Sequence, residues 1–537
     1  MINSALDCKT RGHLLAHDLT SGVHSAGDSG QAEIVAFLSN PKAYRPRPPA
    51  VERIVTHAAM VFLAGSEAYK IKQAVAYSYL DFSTLEKRKQ ACEHEFEVNH
   101  ANAPDTYLGV VPIVRNQHGD LSIGGEGQDV EWAVHMRRFE TRMLLSNLYA
   151  TNSPPDEAVR DLADAVVKLH EGAPRIVTPD GAQRVGAIVE ELRSALAEFE
   201  GELPSKAIAT FVGYAQEELR RIRLCLKVRS RRECVRRCHG DLHLGNIVEI
   251  GGKPVLFDAI EFDDEIATID VLYDLAFLIM DLNVRGYDRA ANLLLNLYLK
   301  QSVGCLDLYG LQAMPLFLAI RAAIRAMVAL QRGHHKDKTA SAEAERYLDR
   351  AQSYLRPLEP RLIAIGGCSG TGKSTLARSL AALLGQAPGA IHVNSDVERK
   401  DIAGVSERHR LGPAGYTPEV MARVYERLQL KATRTLRSGY SVVVDATFLR
   451  PETRTGIAAV AQRLDVPFTG LWLTVPEPMA RQRVQSRNAD VSDATADVVA
   501  RQFASAKPPT DWVTIDAGGP AERALQIARL SVASERL

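Results

Sequence analysis

The chain has 537 residues, which is more than a single hydrophobic core usually holds, so we expect two or three domains. An apolar share of 46% and a charged share of 24% are typical of a soluble globular protein. Basic and acidic residues number 65 each, and this zero net charge excludes a global attraction to nucleic acid or to an anionic membrane, although local patches remain open.

The cysteines and the apolar runs predict a cytoplasmic protein with no membrane partner. The seven cysteines are odd in number and scattered, which indicates free thiols in a reducing compartment. The first 22 residues lack the basic and apolar regions of a signal peptide. The most apolar predicted helix, Leu316–Leu330, has only about fifteen residues and carries Arg321 and Arg325, whereas a span needs roughly 20. No pattern indicates an oligomeric state.

Residues 1–45 are predicted to form a flexible leader with one short helix. Residues 1 to about 30 mix Ser, Gly, His and Asp without periodicity. A helix over Gln31–Leu38 follows, and the proline-rich YRPRPPA after it is typical of an extended connector.

The region after this connector is predicted to form strands, one helix and a further strand. Residues Val51–Val75 are predicted strands, and alternation places Lys70 and Lys72 on the same face of the last one. A helix is predicted over Leu85–Asn99, and a further strand over Gln128–Phe139. The stretch VFLAGSEAY contains a single glycine, so this region shows no glycine-rich loop.

From about Asp156 the apolar residues recur at helical spacing, and an arginine-rich stretch follows at Arg220–Arg237. A nucleotide or nucleic-acid surface is one interpretation of these arginines. A solvated helix face fits better, because no aromatic residues are interleaved with them. A zinc site is the alternative interpretation of the neighbouring Cys234, Cys238, His239 and His243, but their spacing is not that of a zinc finger.

The segment His239–Asp258, HGDLHLGNIVEIGGKPVLFD, has the features of a phosphoryl-transfer centre. Asp241 and Asn246 have the spacing at which a kinase catalytic loop carries its base and a metal-binding amide. Two short apolar runs flank Gly251-Gly252, which predicts a β-hairpin. The hairpin would return Asp258 to the side of Asn246, and an amide oxygen plus a carboxylate suits Mg²⁺ bound to nucleotide phosphates.

Such a centre needs a lysine on a neighbouring strand that holds the ATP phosphates and pairs with a helical glutamate. Lys70 and Lys72 both qualify, and the pattern does not choose between them. Glu93 and Glu95 are the candidate partners, and we select Glu95. Asp274 lies in a predicted buried helix, where a carboxylate is too costly to leave unpaired, and we expect it to brace the catalytic loop.

The segment PLEP at 357–360 is a predicted linker between two regions of the chain with different sequence patterns. Beyond it strands and helices alternate, which predicts a parallel sheet with right-handed crossovers. The predicted strands are RLIAIGG, AIHVNSD, SVVVDATF, FTGLWLTV and DWVTIDA.

A complete P-loop motif directly follows the first of these strands and leads into a helix. Its backbone N–H groups would close around the β-phosphate, Lys373 would reach the β/γ oxygens, and Ser374 would bind Mg²⁺. The nucleotide-binding residues predicted here are Gly367, Cys368, Ser369, Gly370, Thr371, Gly372, Lys373, Ser374 and Thr375.

Polar residues at later strand ends complete this second site. Asp396 is predicted to take the proton from an acceptor hydroxyl, and Arg399 to clamp an anionic group of the substrate. Asp445 ends the third strand as a second ligand for the metal or its waters. Arg483 and Arg487 lie one helical turn apart and are predicted to form a lid over the transferring phosphate.

Residues 46–356 resemble the aminoglycoside phosphotransferase and choline-kinase-like enzymes through HGDLHLGNI, LFDAIEF and the downstream YDLA. This resemblance implies an α+β, protein-kinase-like bilobal domain with Asp241 as base and Asn246 and Asp258 as metal ligands. The weak glycine loop and the absence of an acidic run are departures from the aminoglycoside enzymes.

Residues 357–537 are similar to P-loop kinases of the polynucleotide kinase, zeta-toxin and gluconate kinase kind, often described as AAA-type ATP-binding. The resemblance implies an α/β domain with a parallel sheet, and Asp396, Arg399, Asp445, Arg483 and Arg487 match it by position and type. The whole chain resembles bacterial proteins that join these two modules.

The sequence therefore predicts a fused kinase with two ATP·Mg²⁺ sites, each of which moves a γ-phosphate to a hydroxyl of a small molecule. One alternative makes one half a regulatory module that binds nucleotide without transferring phosphate. Another makes the C-terminal half a kinase of nucleic-acid 5′-hydroxyls, which the net charge does not support.

Overall fold

A computed structural model describes residues 28–56, 58–77, 80–178, 180–199, 201–301, 307–332, 338–407, 409–486 and 492–534. The chain forms two compact units. The first comprises Met1–Arg285, Gln301–Cys305 and Leu316–Leu355, and the second comprises Gly286–Lys300, Leu306–Pro315 and Arg356–Leu537. The second unit thus contains two segments that precede the linear boundary expected at residue 356. Of the leader predicted over residues 1 to about 30, the part up to residue 27 lies outside the described residues, and Asp28–Gly30 belong to the first helix.

The N-terminal part of the first unit is an antiparallel sheet with two helices. The helices are α1 (Asp28–Leu38) and α2 (Leu85–His100), and the strands are β1 (Val51–Val55), β2 (Ala59–Ala64), β3 (Glu67–Lys72), β4 (Ala76–Tyr77), β5 (Leu80–Asp81), β6 (Tyr107–Arg115), β7 (Leu121–Ile123) and β8 (Gln128–Arg137). Within the described residues the main sheet has the order β1-β2-β3-β8-β6-β7.

Helix α1 belongs to the core of this part of the unit. Ile34 and Leu38 pack with Phe62 and Ile71 of the sheet. The Gln31 side chain donates to Lys72 O at 2.8 Å and accepts from Ala74 N at 2.9 Å, so it holds the end of β3. The helix that we grouped with the leader therefore fixes the strand that carries both candidate lysines.

The rest of the first unit is mostly helical and contains two short antiparallel strand pairs, β10 with β11 and β9 with β12. In chain order its elements are α3 (Leu145–Leu148), α4 (Asp156–Gly172), α5 (Gly181–Ala197), α6 (Ser205–Arg231), β9 (Val235–Arg237), β10 (Ile247–Ile250), β11 (Lys253–Leu256), α7 (Asp264–Ala267), β12 (Thr268–Asp270) and α8 (Val271–Val284). Helices α9 (Asp288–Gln301) and α10 (Asp307–Gly310) come next in the chain and, apart from Gln301, belong to the second unit, whereas most of α11 (Met314–Arg332) and all of α12 (Lys338–Tyr354) belong to the first.

The second unit is a parallel α/β sheet with helices between its strands. Its elements are β13 (Leu362–Gly366), α13 (Lys373–Ala381), β14 (Ile391–Asn394), α14 (Ser395–Ala403), α15 (Pro418–Arg437), β15 (Val442–Asp445), α16 (Pro451–Leu464), β16 (Phe468–Thr474), α17 (Glu477–Gln485), α18 (Ala496–Ser505), β17 (Val513–Asp516) and α19 (Ala521–Ser534). The described sheet has five strands in the order β14-β15-β13-β16-β17, all parallel. The fold class predicted for both halves is confirmed.

One described helical stretch, Leu308–Gln331, is long and apolar enough to cross a membrane by length and composition. It has 24 residues, which is longer than the fifteen expected from the sequence, and 83% of its most apolar window is buried inside the structure. Most of its apolar surface is therefore covered by other parts of the protein.

Candidate active sites

The first candidate site is built on the hairpin of β10 and β11. Ile247 pairs with Leu256, and Gly251 and Gly252 make the connecting turn with φ values of 59° and 76°. Two successive positive φ values are those of a type I′ turn, which suits the twist of a two-residue hairpin. Phe257 N donates to Asn246 O at 3.1 Å, so Asp258 directly follows a residue bonded to Asn246.

Asp241 and Asn246 are in direct contact at the start of this hairpin. Asn246 Nδ2 donates to the Asp241 backbone oxygen at 3.0 Å and to Asp241 Oδ2 at 2.9 Å. Both side chains are buried. The amide therefore holds one oxygen of the candidate base in place, which orients the carboxylate for proton transfer.

Asn246 Oδ1 is buried and has no hydrogen-bond partner among the described residues. A buried carbonyl oxygen without a partner costs about 1–3 kcal/mol. A hard cation would satisfy this oxygen, and amide and carboxylate oxygens are ligands that Mg²⁺ takes in proteins. The arrangement of Asn246 and Asp258 fits the metal that the resemblance implies.

Asp258 adopts the left-handed backbone conformation, with φ of 63°. Its N–H donates to Tyr107 Oη at 3.2 Å, and the next residue, Ala259, donates from its N–H to Asn99 Oδ1 at 2.8 Å. Positive φ is uncommon outside glycine and needs such support from its surroundings. The sheet and α2 thus fix the direction of the Asp258 carboxylate.

Lys70 and Lys72 both reach Glu95, each at 2.6 Å. Lys70 Nζ lies 3.2 Å from Asp258 Oδ1, whereas Lys72 Nζ lies 2.5 Å from Glu261 Oε1. All five side chains are buried. Lys70 is therefore the lysine beside the candidate metal ligand, and Lys72 is held in a separate pair with a glutamate that the sequence analysis did not single out.

Asp274 of α8 accepts hydrogen bonds from the backbone of the catalytic loop. His239 N donates to Oδ2 at 3.1 Å, Gly240 N donates to Oδ1 at 2.9 Å, and His170 Nε2 lies 3.1 Å from Oδ2. Burial alone would raise the pKa of Asp274, but the hydrogen bond and charge of His170 and the charges of His239 and Arg321 hold it below its usual value. The carboxylate stays ionised and braces the loop.

A short turn stands where protein kinases carry a glycine-rich loop. Thr56 N and Thr56 Oγ1 donate to Ala59 O at 2.9 and 3.0 Å, which closes the connection between β1 and β2. His57 lies outside the described residues. Any phosphate cover from this connection is therefore short. The single glycine of VFLAGSEAY, Gly65, lies in the next connection, between β2 and β3.

The residues considered as zinc ligands have other contacts. His239 Nε2 lies 2.9 Å from Phe257 O, and His243 Nδ1 accepts from Gly245 N at 2.9 Å. Among the described residues, His170, Cys238 and Asp274 each place a possible metal-ligand atom within 4.8 Å of the other two. Burial raises the pKa of the Cys238 thiol well above its usual value, so this sulfur stays protonated and is a poor ligand.

The arginine-rich stretch is engaged in ion pairs. Arg220 and Arg221 pair with Glu217 and Glu218 on the same helix. The buried Arg229 donates to both oxygens of Asp270 at 2.7 Å. These contacts serve the helix surface and the core of the first unit, and they do not favour a nucleic-acid surface.

The second candidate site is the loop between β13 and α13. Gly367, Gly370 and Gly372 have φ values of 133°, 85° and 93°. A Cβ at Gly370 would lie 2.5 Å from Ala480 O, so this position has no room for a side chain. Lys373 Nζ donates to Cys368 O at 2.8 Å, and the helix that begins at Lys373 directs its N-terminus at the loop.

Ser374 and Asp445 are joined by a third residue, Asn394. Asn394 Nδ2 donates to Asp445 Oδ1 at 2.7 Å and to Ser374 Oγ at 3.2 Å, so both predicted metal ligands lie near one nitrogen. His392 Nε2 lies 2.7 Å from the other carboxylate oxygen. A hydroxyl and a carboxylate are hard-oxygen donors, and this pair fits Mg²⁺ on a nucleotide held by the loop.

Burial alone would raise the pKa of Asp445. The hydrogen bond and charge of His392, the charge of Lys373 and the Asn394 amide outweigh burial and lower the pKa below its usual range. The carboxylate is therefore ionised, as a metal ligand must be.

Asp396 and Arg399 form an ion pair on α14. The Arg399 guanidinium lies 4.7 Å from the centre of the Tyr416 ring, and Arg399 Nε is buried without a hydrogen-bond partner among the described residues. Asp396 N donates to Asn394 Oδ1 at 2.9 Å. The same asparagine thus links the candidate base to the candidate metal ligands.

Of the predicted lid arginines, Arg483 donates to Ala517 O at 3.0 Å. Its guanidinium lies 4.0 Å from a Cβ built on Gly372, which places it beside the P-loop. Arg487 lies outside the described residues. Gln502 of α18, which the sequence analysis missed, accepts from Ser369 N at 2.7 Å and so contacts the phosphate-binding backbone directly.

Comparisons with known proteins match two successive stretches of the chain to two different families. The phosphotransferase enzyme family matches residues 87–309, and an AAA domain family matches residues 362–509. An uncharacterized protein of Mycobacterium tuberculosis H37Rv is 31% identical over 487 residues, which cover 89% of this chain and 94% of the relative.

Two solved structures are similar to single parts of the chain. A choline/ethanolamine kinase family protein from Mesorhizobium loti is 16% identical and covers 61% of this chain and 95% of its own, with a TM-score of 0.37. A gluconokinase from Sinorhizobium meliloti 1021 is 19% identical and covers 34% of this chain and 98% of its own, with a TM-score of 0.25.

Proposed function

Because the chain belongs to the family of two-module proteins in which a phosphotransferase-family region precedes a P-loop kinase domain, we propose that it is an enzyme with two ATP·Mg²⁺ sites. Each site transfers the γ-phosphate of ATP to a hydroxyl of a small molecule. The observation that carries this proposal is that each unit brings together its own lysine, its own hard-oxygen ligands and its own carboxylate base.

In the first unit, Lys70 holds the α- and β-phosphates and Glu95 fixes its ammonium group. Asn246 Oδ1 and Asp258 hold Mg²⁺, which neutralises charge on the phosphates when it is bound. Asp241 Oδ2 is held by the Asn246 amide, so the carboxylate is oriented to accept the proton of the acceptor hydroxyl.

In the second unit, the backbone N–H groups from Gly367 to Thr375 hold the β-phosphate, and Lys373 exchanges Cys368 O for a phosphate oxygen. Ser374 Oγ and Asp445 hold the metal. Asp396 accepts the proton of the acceptor, while Arg399 binds an anionic group of that molecule. Arg483 stabilises negative charge that develops on the transferring phosphoryl group.

The two units act on their substrates in the cytoplasm, where ATP and a reducing environment coincide. Among the described residues, Cys92, Cys238 and Cys368 are free, buried thiols, which supports this location. The proposal requires no membrane partner.

The test is transfer of label from γ-³²P-ATP to a panel of sugars, sugar acids, amino alcohols, nucleosides and a short oligonucleotide with a 5′-hydroxyl. Asp241→Asn should abolish one class of labelled product and leave the other, and Lys373→Ala should do the converse. The exposed substitutions Asp264→Asn and Lys507→Ala are the matched controls.

Loss of both products from either variant would show that the sites are not independent. Nucleotide binding without any transfer from one unit would instead make that unit regulatory. Label on the oligonucleotide would identify the second unit as a nucleic-acid kinase.

A further inference from the structure

Helix α9 supplies partners to the edge strand of the parallel sheet in the second unit. β14 is at one end of the described strand order, and an edge strand leaves backbone groups without a neighbouring strand. Asn292 Nδ2 and Asn296 Nδ2 donate to Ala390 O at 3.0 and 3.3 Å, and His392 N donates to Asn296 Oδ1 at 2.8 Å. Two asparagines therefore complete the backbone pairing at the start of β14.

The contact between α9 and the segment before β14 leaves no spare room. Asn292 is buried, and Gly389 has a φ of 123°. A Cβ at Gly389 would lie 2.8 Å from Asn292 Nδ2 and 2.5 Å from Ala381 O, so only glycine leaves room for the helix here. Asn296 Nδ2 also donates to Asn292 O at 3.0 Å, and this hydrogen bond holds the Asn296 side chain in place.

The same strand leads directly into the P-loop site. His392 is the second residue of β14, and its Nε2 lies 2.7 Å from Asp445 Oδ2. The other oxygen of Asp445 accepts from Asn394, which ends the strand and also donates to Ser374. Both carboxylate oxygens are thus held by side chains of β14, and the backbone of one of those residues is held by α9.

We propose that Asn296 and His392 are positioning residues of the P-loop site. Asn296 fixes the backbone of His392, and the His392 ring sets the direction in which Asp445 presents its oxygens to Mg²⁺. The inference rests on the proposed function of this site and deepens it. It also makes α9, which lies inside the stretch matched by the phosphotransferase family, a working part of the second unit.

The expected size of the effect follows from how metal sites are built. Residues that hydrogen-bond to a metal ligand orient it, and losing one typically lowers metal affinity or activity by about 10–100-fold. His392 contacts the ligand itself, so its loss should have the larger effect. Asn296 acts through one further residue and should have a smaller effect in the same direction.

The test measures binding of AMPPNP, a non-hydrolysable ATP analogue, to the full chain with Asp258→Asn in the background to silence the first site. Affinity is measured once with saturating Mg²⁺ and once with EDTA. His392→Ala should lower affinity about tenfold with Mg²⁺ and leave it unchanged with EDTA. Asn296→Ala should lower the Mg²⁺-dependent affinity by a smaller factor.

Conservative variants separate positioning from folding. His392→Gln retains a donor toward Asp445, and Asn296→Asp retains the acceptor for His392 N, so both should recover most of the lost affinity. Arg289→Ala, an exposed substitution on α9, is the control for changes in the helix itself. Thermal unfolding of each variant shows whether it has folded.

Equal losses with Mg²⁺ and with EDTA would mean that the residues only stabilise the fold, and would overturn the proposal. Unchanged affinity in both His392→Ala and Asn296→Ala would also overturn it. If the chain that carries only Asp258→Asn shows no Mg²⁺-dependent binding, or if adding Lys373→Ala to that chain leaves the binding in place, the proposed function of the P-loop site fails and the inference fails with it.

Discussion

Glu95 receives two buried ammonium groups, and the two lysines differ in what else they contact. Lys70 lies between Glu95 and Asp258, whereas Lys72 lies between Glu95 and Glu261. Breaking a buried ion pair by removing one partner typically costs about 3–5 kcal/mol, because the other charge is left uncompensated. The two positions should therefore respond differently to substitution.

Lys70→Met should abolish nucleotide binding at the first site, because it removes the cation beside the metal ligand. Lys72→Met should mainly lower the free energy of unfolding, by about 3–5 kcal/mol. Urea unfolding and AMPPNP binding measure the two effects. The double variant Lys72→Met/Glu261→Gln should recover much of the stability, since both charges are then absent.

If Lys72→Met loses nucleotide binding while Lys70→Met retains it, the roles of the two lysines are reversed.

The burial of His239 should make the free energy of unfolding depend on pH. Burial lowers the pKa of His239 below its usual value of 6.5, so the unfolded chain takes up this proton more readily than the folded one. The contribution of neutral His239 to the free energy of unfolding is complete above pH 6.5. It is lost as the pH falls toward the pKa of His239 in the folded state, by at most about 1.4 kcal/mol per pH unit.

His239→Gln should therefore lose less free energy of unfolding between pH 7.5 and 5.5 than the parent chain does. Gln keeps a donor for Phe257 O but does not titrate. Urea unfolding at both pH values gives the comparison, and identical pH dependence in the two chains would contradict the assignment.

At the level of elements, the catalytic loop depends on glycine at position 240. Gly240 has a φ of 82°, and a Cβ there would lie 2.9 Å from Ile260 Cδ1. Gly240→Ala should thus lower the free energy of unfolding by roughly 1–3 kcal/mol and reduce first-site activity. Gly251→Asn is the matched control, because φ is 59° there, no atom lies within 4 Å of an added Cβ, and asparagine tolerates this conformation.

Equal effects of the two glycine substitutions, measured by thermal unfolding and by label transfer, would mean that the contact with Ile260 does not matter.

The sequence was most informative where one element carries its own signal. The five strands of the second unit are short runs rich in apolar residues, β-branched ones in all but β16, and the sequence predicts all five. The hairpin around Gly251-Gly252 and the helix with Glu95 were predicted for the same reason. The choice of Glu95 over Glu93 is supported by the structure, since Glu95 is buried against both lysines and Glu93 is exposed.

The contacts that the sequence did not reveal join residues far apart in the chain. Gln31 and Gln502 lie in no motif, and Glu261 lies in LFDAIEF but has no role assigned from the sequence. Each of the three acts through a partner that only the fold brings near. A second carboxylate near the two lysines could have been expected, because two buried ammonium groups need more than one negative charge to compensate them. Nothing local marks Asn296 as a partner of β14, since its helix pattern is the same as that of its neighbours.

For the whole molecule, the central expectation is that the two units bind nucleotide independently. Lys70→Met should leave Mg²⁺-dependent binding at the P-loop unchanged, and Lys373→Ala should leave the first site unchanged, because each cluster of ligands lies within one unit. A change of more than about threefold at the untouched site, roughly 0.6 kcal/mol, would reveal coupling between them.

The most direct measurement is the number of AMPPNP molecules bound per chain in the presence of Mg²⁺, obtained by titration calorimetry. We predict two for the parent chain, one for Asp258→Asn, one for Lys373→Ala and none for the double variant. A parent chain that binds one or none, or a double variant that still binds, would contradict the account of two separately built nucleotide sites.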